Sequence, residues 1–148
     1  MMNKIARSIF VVAASLFAFI SMAADDAGQI KVVNGSVTIE RDGRNMTAVP
    51  GARILQSDTL RTGEDGSVGI TLTDNTLLSA GPNSVLVLER YAFNSTTHQG
   101  QLDAGLRRGT LSMVSGKLAK QSPDAVRVIT PATVLGARGT EFFVQVSD

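Results

Sequence analysis

Few side chains of this 148-residue sequence could do chemistry, and the single histidine is the first to consider. His98 lies in a polar stretch, residues 94–100, where a general base would need a nucleophile held beside it. The sequence contains no Gly-x-Ser-x-Gly elbow and no cysteine. One histidine without cysteine also leaves no ligand set for zinc. We therefore predict a protein that is not an enzyme, that needs no metal or other cofactor, and in which His98 is a solvated loop residue.

Carboxylates near predicted turns are the next candidates, for calcium binding or for sugar hydrolysis. Four of them lie close to turns: Asp58, Glu64, Asp65 and Asp74. Their spacing matches no calcium loop, so we expect them to cap turns. Glu89 and Glu141 would have to meet for glycoside hydrolysis, and nothing in the sequence brings them together.

Arg138 has the most specific setting of any charged residue, between Gly136 and Gly139. Its planar guanidinium group could hold a carboxylate or a phosphate of a ligand. It could instead bind backbone carbonyls, or a buried carboxylate such as Asp58 or Asp74. We expect this internal role, because an arginine in an apolar setting is usually paired.

Three further residues are possible partner contacts: Arg107, Arg108 and His98. The two arginines are expected at a solvated turn edge. The polar loop at residues 94–101 is the largest polar insertion; it is a candidate contact surface, with a plain surface loop as the default.

A strand, a turn and a second strand must position Arg138. Val134 and Leu135 supply apolar bulk before the turn. We expect both flanking glycines to adopt backbone angles closed to other residues, which places a sharp corner around Ala137 and Arg138. After the corner, Phe142, Val144 and Val146 alternate with Phe143 and Gln145, a pattern typical of a half-buried strand.

The rest of the chain carries the same kind of signal. Turn residues recur every eight to twelve positions, at 41–44, 50–51, 64–66, 74–75 and 80–83. Val68, Ile70 and Leu72 alternate with polar or small residues, whereas residues 84–89 are apolar on both faces and should lie in the middle of the fold. We predict an all-β fold in a single compact domain, with either a β-sandwich or a short β-solenoid-like roll as its architecture.

Two internal echoes bear on that choice. Gly35-Ser36-Val37 recurs 31 positions later at 66–68, and Arg108-Gly109-Thr110 recurs 30 positions later at 138–140. A period near 30 could mark stacked coils, but three-residue coincidences are common in glycine-rich β chains. Repetition and chance are both open at this point.

The N-terminus predicts export. Lys4 and Arg7 precede a run of twelve mostly apolar residues from Ile9 to Ile20, and small residues at 21–23 suit cleavage after Ala23. As a helix the run would be about 18 Å long, too short for a hydrocarbon core of about 30 Å. We therefore predict a Sec-type signal-peptide helix at 1–23, with an uncleaved membrane anchor as the alternative, and no transmembrane segment after cleavage.

Removing this leader changes the charge balance. The whole chain has 14 Lys and Arg against 13 Asp and Glu, and loss of Lys4 and Arg7 leaves 12 against 13, a formal charge of −1. A near-neutral surface gives little attraction to nucleic acid, which we exclude as a partner. We divide the exported part into N-terminal strands at 24–50 and a domain core at 51–148.

The sequence resembles the FecR domain family in several ordered motifs. The characteristic run of Thr-Pro followed by Arg-Gly-Thr-x-Phe is present as Thr130-Pro131 and Arg138-Gly139-Thr140-Glu141-Phe142. Residues 51–63, 72–76, 81–84 and 108–111 are similar to further family segments, with Ser57 and Asn75 standing where glycine is usual. The matching motif residues, expected to be structural, are Thr130, Pro131, Gly136, Arg138, Gly139, Thr140 and Phe142.

This resemblance implies a non-catalytic module for signal coupling or ligand sensing in the cell envelope, in the periplasm or secreted. The implied partner is an envelope protein, either a receptor or a membrane sensor, bound by strand addition or loop contacts. The chain ends two residues after Val146, so the C-terminal edge could also pair with a second copy. The alternative function is a structural, adhesive or polysaccharide-binding envelope protein.

Overall fold

A computed structural model describes residues 26–147 of the chain. The predicted leader at 1–23 and its cleavage site near Ala23 lie outside the described residues. Within 26–147, no helix has the length and apolar character needed to cross a membrane.

Twelve strands and two short helical turns make up the described chain. The helical turns are α1 (Lys117–Gln121) and a 3-10 turn (Pro123–Ala125). The strands are β1 (Asp26–Asn34), β2 (Val37–Arg41), β3 (Arg44–Thr47), β4 (Arg53–Leu55), β5 (Thr59–Thr62), β6 (Ser67–Leu72), β7 (Leu77–Ala80), β8 (Val85–Phe93), β9 (Gly100–Val114), β10 (Val126–Ile129), β11 (Val134–Gly136) and β12 (Glu141–Val146). The predicted all-β class is confirmed.

These strands form one curled, open sheet with the shape of a half-barrel. Its front layer runs β12-β9-β7-β6-β1-β4, and its back layer runs β3-β2-β5-β8-β9-β10-β11. The long strand β9 belongs to both layers, because its first part pairs with β8 and β10 and its last part with β7 and β12. The fold therefore resembles a β-sandwich in having two packed layers, and it resembles a roll in that one continuous sheet forms both of them.

The core lies inside the curl and is aliphatic. Apolar side chains of β4 to β8 converge there from both layers, for instance Ile54, Leu60, Ile70 and Leu86, each at most 3% exposed. Each such side chain contributes about 1.5–3 kcal/mol on burial. The predicted alternation in β6 is confirmed, and β8 lies between β5 and β9 as its apolar character indicated.

The predicted turns form where expected. At two of them, the residues that stand where the family usually has glycine adopt backbone angles typical of glycine. Ser57 and Asn75 adopt φ angles of 74° and 68°. Glycine is the default residue for such angles, so these are positions where glycine would be natural. Asn75 tolerates this conformation better than serine does.

The two echoes have different outcomes. Gly109 and Gly139 both adopt positive φ, 88° and 97°, and both lie where the chain crosses from the back layer to the front layer. Gly35 has a φ of 61°, whereas Gly66 is not among the glycines with positive φ. The Arg-Gly-Thr echo is thus a repeated backbone corner, and the Gly-Ser-Val echo is not.

Candidate functional site

The second Arg-Gly-Thr turn, residues 136–140, is held firmly by its backbone. Ala137 is 2% exposed and its N–H donates to the Val126 carbonyl at 3.0 Å. The Ser115 hydroxyl donates to the Gly139 carbonyl at 2.9 Å, and the Ser115 N–H donates to the Thr140 carbonyl at 2.7 Å. Hydrogen bonds therefore hold the backbone of the turn on both sides of Arg138.

The two glycines of this turn differ. Gly139 needs its left-handed backbone, and a Cβ there would meet open space. Gly136 has no positive φ, and a Cβ there would also meet nothing within 4 Å. The prediction that Gly136 supplies a special backbone angle is wrong, because β11 simply runs extended to its last residue.

A cleft of about 540 Å³ opens beside this turn, and we call it the Arg138 cleft. One wall is the turn itself, residues 137–140, and the other is formed by α1 and the 3-10 turn. The residues of the second wall and floor are Ser115, Ala119, Lys120, Pro123 and Asp124.

The helical wall is anchored by one buried carboxylate, Asp74, which is 0% exposed. Its Oδ2 accepts from the Leu118 N–H at 3.1 Å and from the Thr76 hydroxyl at 2.7 Å. Its backbone carbonyl accepts from the Lys117 N–H at 2.8 Å. The β6–β7 turn thus holds the start of α1 in place, and the predicted turn-capping role of Asp74 is observed.

Tyr91 completes this anchor from β8. Its hydroxyl donates to Asp74 Oδ1 at 3.1 Å and accepts from the Asp74 N–H at 3.0 Å. Burial is the main reason that the pKa of Tyr91 is raised to about 12.

The Arg138 side chain is exposed and forms no hydrogen bond or ion pair with any residue within 26–147, whereas its backbone N–H donates to the Gly136 carbonyl at 3.1 Å. Its expected partners are engaged elsewhere. Asp58 is bound by Arg41, with Nε to Oδ1 at 2.8 Å and Nη2 to Oδ2 at 2.6 Å, and Asp74 is satisfied as described above. The predicted internal pairing of Arg138 with Asp58 or Asp74 is wrong, because Arg41 on β2 and the β6–β7 turn fill those positions.

Arg41 and Arg127 pair with buried aspartates and show what a structural arginine looks like in this fold. Asp58 holds Arg41 through a bidentate bond, and this bond raises the pKa of Arg41. Arg127 and Asp103 form a second bidentate pair at 2.9 and 2.8 Å, and this bond is the main reason that the pKa of Arg127 is raised. Both aspartates are at most 2% exposed.

The chemistry of the Arg138 cleft is set by three charged side chains. Lys120 and Asp124 face the cleft from one wall and Arg138 from the other. None of the three forms an ion pair within the described residues. Such a cleft can hold an anionic group between two cations.

The other predicted motif residues lie apart from this cleft. Thr130 closes the β10–β11 turn, where its hydroxyl and Thr133 exchange two 3.1 Å hydrogen bonds. Thr130 and Pro131 share a shallow pocket of about 140 Å³ with Arg107, whose guanidinium lies 3.4 Å from Glu89. Phe142 is half-buried against the core.

The remaining predicted contacts are separate again. Arg108 is exposed on β9, at the first Arg-Gly-Thr corner. His98 lies in the β8–β9 loop, and its ring stacks on Phe93 with ring centres 5.8 Å apart. The roles of all these residues stay predictions.

The carboxylates considered for metal binding or sugar hydrolysis do not come together at one site in the described part of the chain. Residues 26–147 contain no group of three or more His, Cys, Asp or Glu side chains that could hold a metal ion. Asp65 accepts a hydrogen bond from the Ser36 N–H at 3.3 Å. Glu89 lies on β8 in the back layer and Glu141 on β12 in the front layer.

Sequence reasoning missed the residues that the tertiary structure brings to Arg138. Ser115, Lys120 and Asp124 lie in segments without a family motif, and nothing in their local pattern marks them. The Arg127–Asp103 pair was also missed, because it depends on the parallel pairing of β10 with β9.

The fold is thus an all-β module with an open, charged cleft beside its second Arg-Gly-Thr turn. A scan of protein families matches the family described as "FecR protein" at residues 58–148, and the chain belongs to this family. The FecR domain is known for signal transduction in the cell envelope, and the family is generally non-catalytic.

Among solved structures, a "Cell surface anchoring domain" is 32% identical and superposes with a TM-score of 0.40, covering 42% of this chain and 83% of that chain. No curated protein matches the chain.

Proposed function

We propose that this chain is an exported, non-catalytic module that binds another envelope protein and couples a signal to it. Membership of the FecR family supports the setting and the class of activity. The partner is a receptor or a membrane sensor, and the predicted leader at 1–23 delivers the module to the periplasm or beyond.

The observation that carries this proposal is an exposed apolar surface on β11 and β12, which we call the C-terminal edge. Val134, Leu135 and Phe143 are 54%, 37% and 65% exposed. Within the described residues β11 pairs only with β10, and β12 pairs only with β9. Each strand therefore offers backbone donors and acceptors on one side together with apolar side chains, which is the surface that strand addition uses.

Partner binding at this edge is tested by crosslinking the purified full chain to envelope extract and identifying what is captured. We expect one receptor or membrane sensor, with crosslinks at 134–146. Phe143→Asp places a charge in the apolar surface and should abolish capture. Val49→Asp is the matched control, because Val49 is 53% exposed and lies between β3 and β4, at the other ends of the two layers from β11 and β12. Capture that is equal for both variants, or no capture at all, would contradict the proposal.

The alternative, binding of envelope polysaccharide, draws on a second groove of about 360 Å³. Its lining includes aromatic and amide side chains, which present apolar faces and hydrogen-bonding groups together: Tyr91, Phe93, Asn94 and Gln99. The Asn94 side-chain carbonyl, however, already accepts from the N–H groups of Thr96 and Thr97, and the Tyr91 hydroxyl is committed to Asp74. We therefore favour protein binding, and retention of the chain on envelope glycan would reverse that preference.

Self-association through the C-terminal edge is the other outcome of the same experiment. Recovery of crosslinked copies of the chain alone, lost in Phe143→Asp, would identify the second copy as the partner.

A further inference from the structure

The Arg138 cleft combines a fixed backbone with charged side chains that form no ion pair within the described residues. Arg44 and Arg90 are also exposed and form no ion pair there, but neither lines the cleft. Arg138 differs because the hydrogen bonds of Ser115 and the burial of Ala137 hold its turn beside a concave surface. A guanidinium group carried on a fixed turn loses less conformational entropy when it binds a ligand.

We propose that this cleft binds the carboxylate side chain of an acidic peptide segment, contributed by the partner that the C-terminal edge recruits. This inference rests on the proposed function, and it adds the chemistry by which the partner is recognised. The Arg138 fork grips the carboxylate from one wall, and Lys120 approaches from the other.

The charge of the cleft selects a carboxylate over a phosphate. Arg138 and Lys120 bring two positive charges, and Asp124 subtracts one. The cleft therefore matches a single negative charge, whereas a phosphate carries up to two at neutral pH and would face the Asp124 carboxylate. Asp124 in turn can accept an N–H group of the same bound segment.

The position of the cleft suits a segment added along the sheet edge. Thr140 lines the cleft, and β12 begins at the next residue, Glu141. A peptide strand paired with the free side of β12 would thus run up to the mouth of the cleft. A volume of about 540 Å³ lies within the usual range for ligand sites.

The test is a titration of the isotope-labelled full chain with the peptide acetyl-Gly-Gly-Glu-Gly-Gly-amide, followed by amide NMR shifts. We expect saturable shifts at Ser115, Gly139 and Thr140. The same peptide with Gln in place of Glu should bind at least about tenfold more weakly, because the charge-assisted fork is lost.

Two variants assign the effect to the cleft. Arg138→Ala should weaken binding of the Glu peptide at least about tenfold, and Lys120→Ala should weaken it about two- to fivefold. Arg44→Ala, which removes an exposed and unpaired arginine from β3, should leave it unchanged. An Arg138→Gln variant repeats the test if the alanine variant fails to fold.

Three results would overturn the proposal: equal binding of the Gln peptide, equal binding by Arg138→Ala, or tighter binding of inorganic phosphate at the same amides. Failure of the proposed function is distinguishable. If a receptor is captured and Arg138→Ala does not weaken its capture, the proposed function holds and the cleft proposal fails. If the peptide binds but no partner is captured, the cleft proposal holds and the proposed function fails.

Discussion

The two Arg-Gly-Thr turns of this protein have the same sequence and the same backbone corner but different surroundings. Gly109 and Gly139 adopt φ angles of 88° and 97°. The first turn is packed, since a Cβ at Gly109 would clash with the Ser84 side chain, whereas a Cβ at Gly139 would meet nothing within 4 Å. The second turn instead borders an open cleft.

This difference teaches that the triplet encodes a corner and not a role. At the first corner the Ser84 hydroxyl accepts from the Thr110 N–H at 3.0 Å and donates to the Thr110 carbonyl at 3.3 Å, so the neighbouring turn fills the space. At the second corner the Ser115 hydroxyl donates to the Gly139 carbonyl, and the space beside the Gly139 Cα stays open. The packed corner stabilises the fold, and the open corner displays a charged group.

The largest effect should come from adding a methyl group at each corner. Gly109→Ala combines a strained φ with overpacking against Ser84, and we expect a loss of about 2–5 kcal/mol in the free energy of unfolding. Gly139→Ala has only the strain and should lose about 1–2 kcal/mol. Urea unfolding of the two variants measures both values. Equal losses would mean that the two corners are packed alike.

Removing the supporting hydroxyls should have the next largest effect. Ser84→Ala leaves the Thr110 N–H without its acceptor at a site 1% exposed, and should cost about 1–3 kcal/mol. Ser115→Ala removes one bond to the Gly139 carbonyl and should cost about 0.5–1.5 kcal/mol. Thermal unfolding tests the order, and a larger loss for Ser115→Ala would reverse our assignment of the packed corner.

The hydrogen bonds between Tyr91 and Asp74, which anchor the helical wall of the cleft, can be tested by the titration of Tyr91. Tyr91 is the single tyrosine and there is no tryptophan, so absorbance near 295 nm follows one phenol. We expect a titration midpoint of about 12. Because the folded pKa exceeds the ordinary value of about 10, the stability due to neutral Tyr91 is fully present below pH 10 and is lost as pH rises toward 12.

The size of that loss should be about 1 kcal/mol, since Tyr91 is only half-buried and solvent screens part of the shift. Tyr91→Phe should remove this pH dependence. A midpoint at the ordinary value of about 10 would show that the anchor between Tyr91 and Asp74 is not formed.

The smallest effect on stability should come from Arg138→Ala. An exposed side chain without an internal partner contributes little, so we expect a change within about 0.5 kcal/mol. Urea unfolding beside wild type measures it, with Arg44→Ala as the control for loss of one surface charge. A loss of 2 kcal/mol or more would show that Arg138 has an internal partner after all.

Much of the fold was predictable because it depends on local patterns. Alternation in β6 and β12, and turn residues at 41–44 and 74–75, appear in the sequence and form as expected. The corner at Arg138 was predicted as well, although Gly136 proved to be ordinary extended backbone.

The candidate site was predictable only in part, for a physical reason. Arg138 could be singled out by its neighbours, but its partners could not. Which arginine pairs with a buried carboxylate depends on which strand the fold places beside it. Arg41 binds Asp58 because its strand, β2, lies next to β5 in the back layer. Lys120 and Asp124 join the site because Asp74 fixes α1 beside the second turn, over 44 residues of sequence.

The sequence by itself determined the all-β class, the turns, the likeness to FecR domains and the corner that carries Arg138, because strand alternation and positive-φ turns are properties of neighbouring residues. Only the tertiary structure decided which arginines pair with buried aspartates and which one borders an open cleft. That decision depends on strand order and on contacts between residues far apart in the chain, where a buried aspartate binds the guanidinium group that the sheet places beside it.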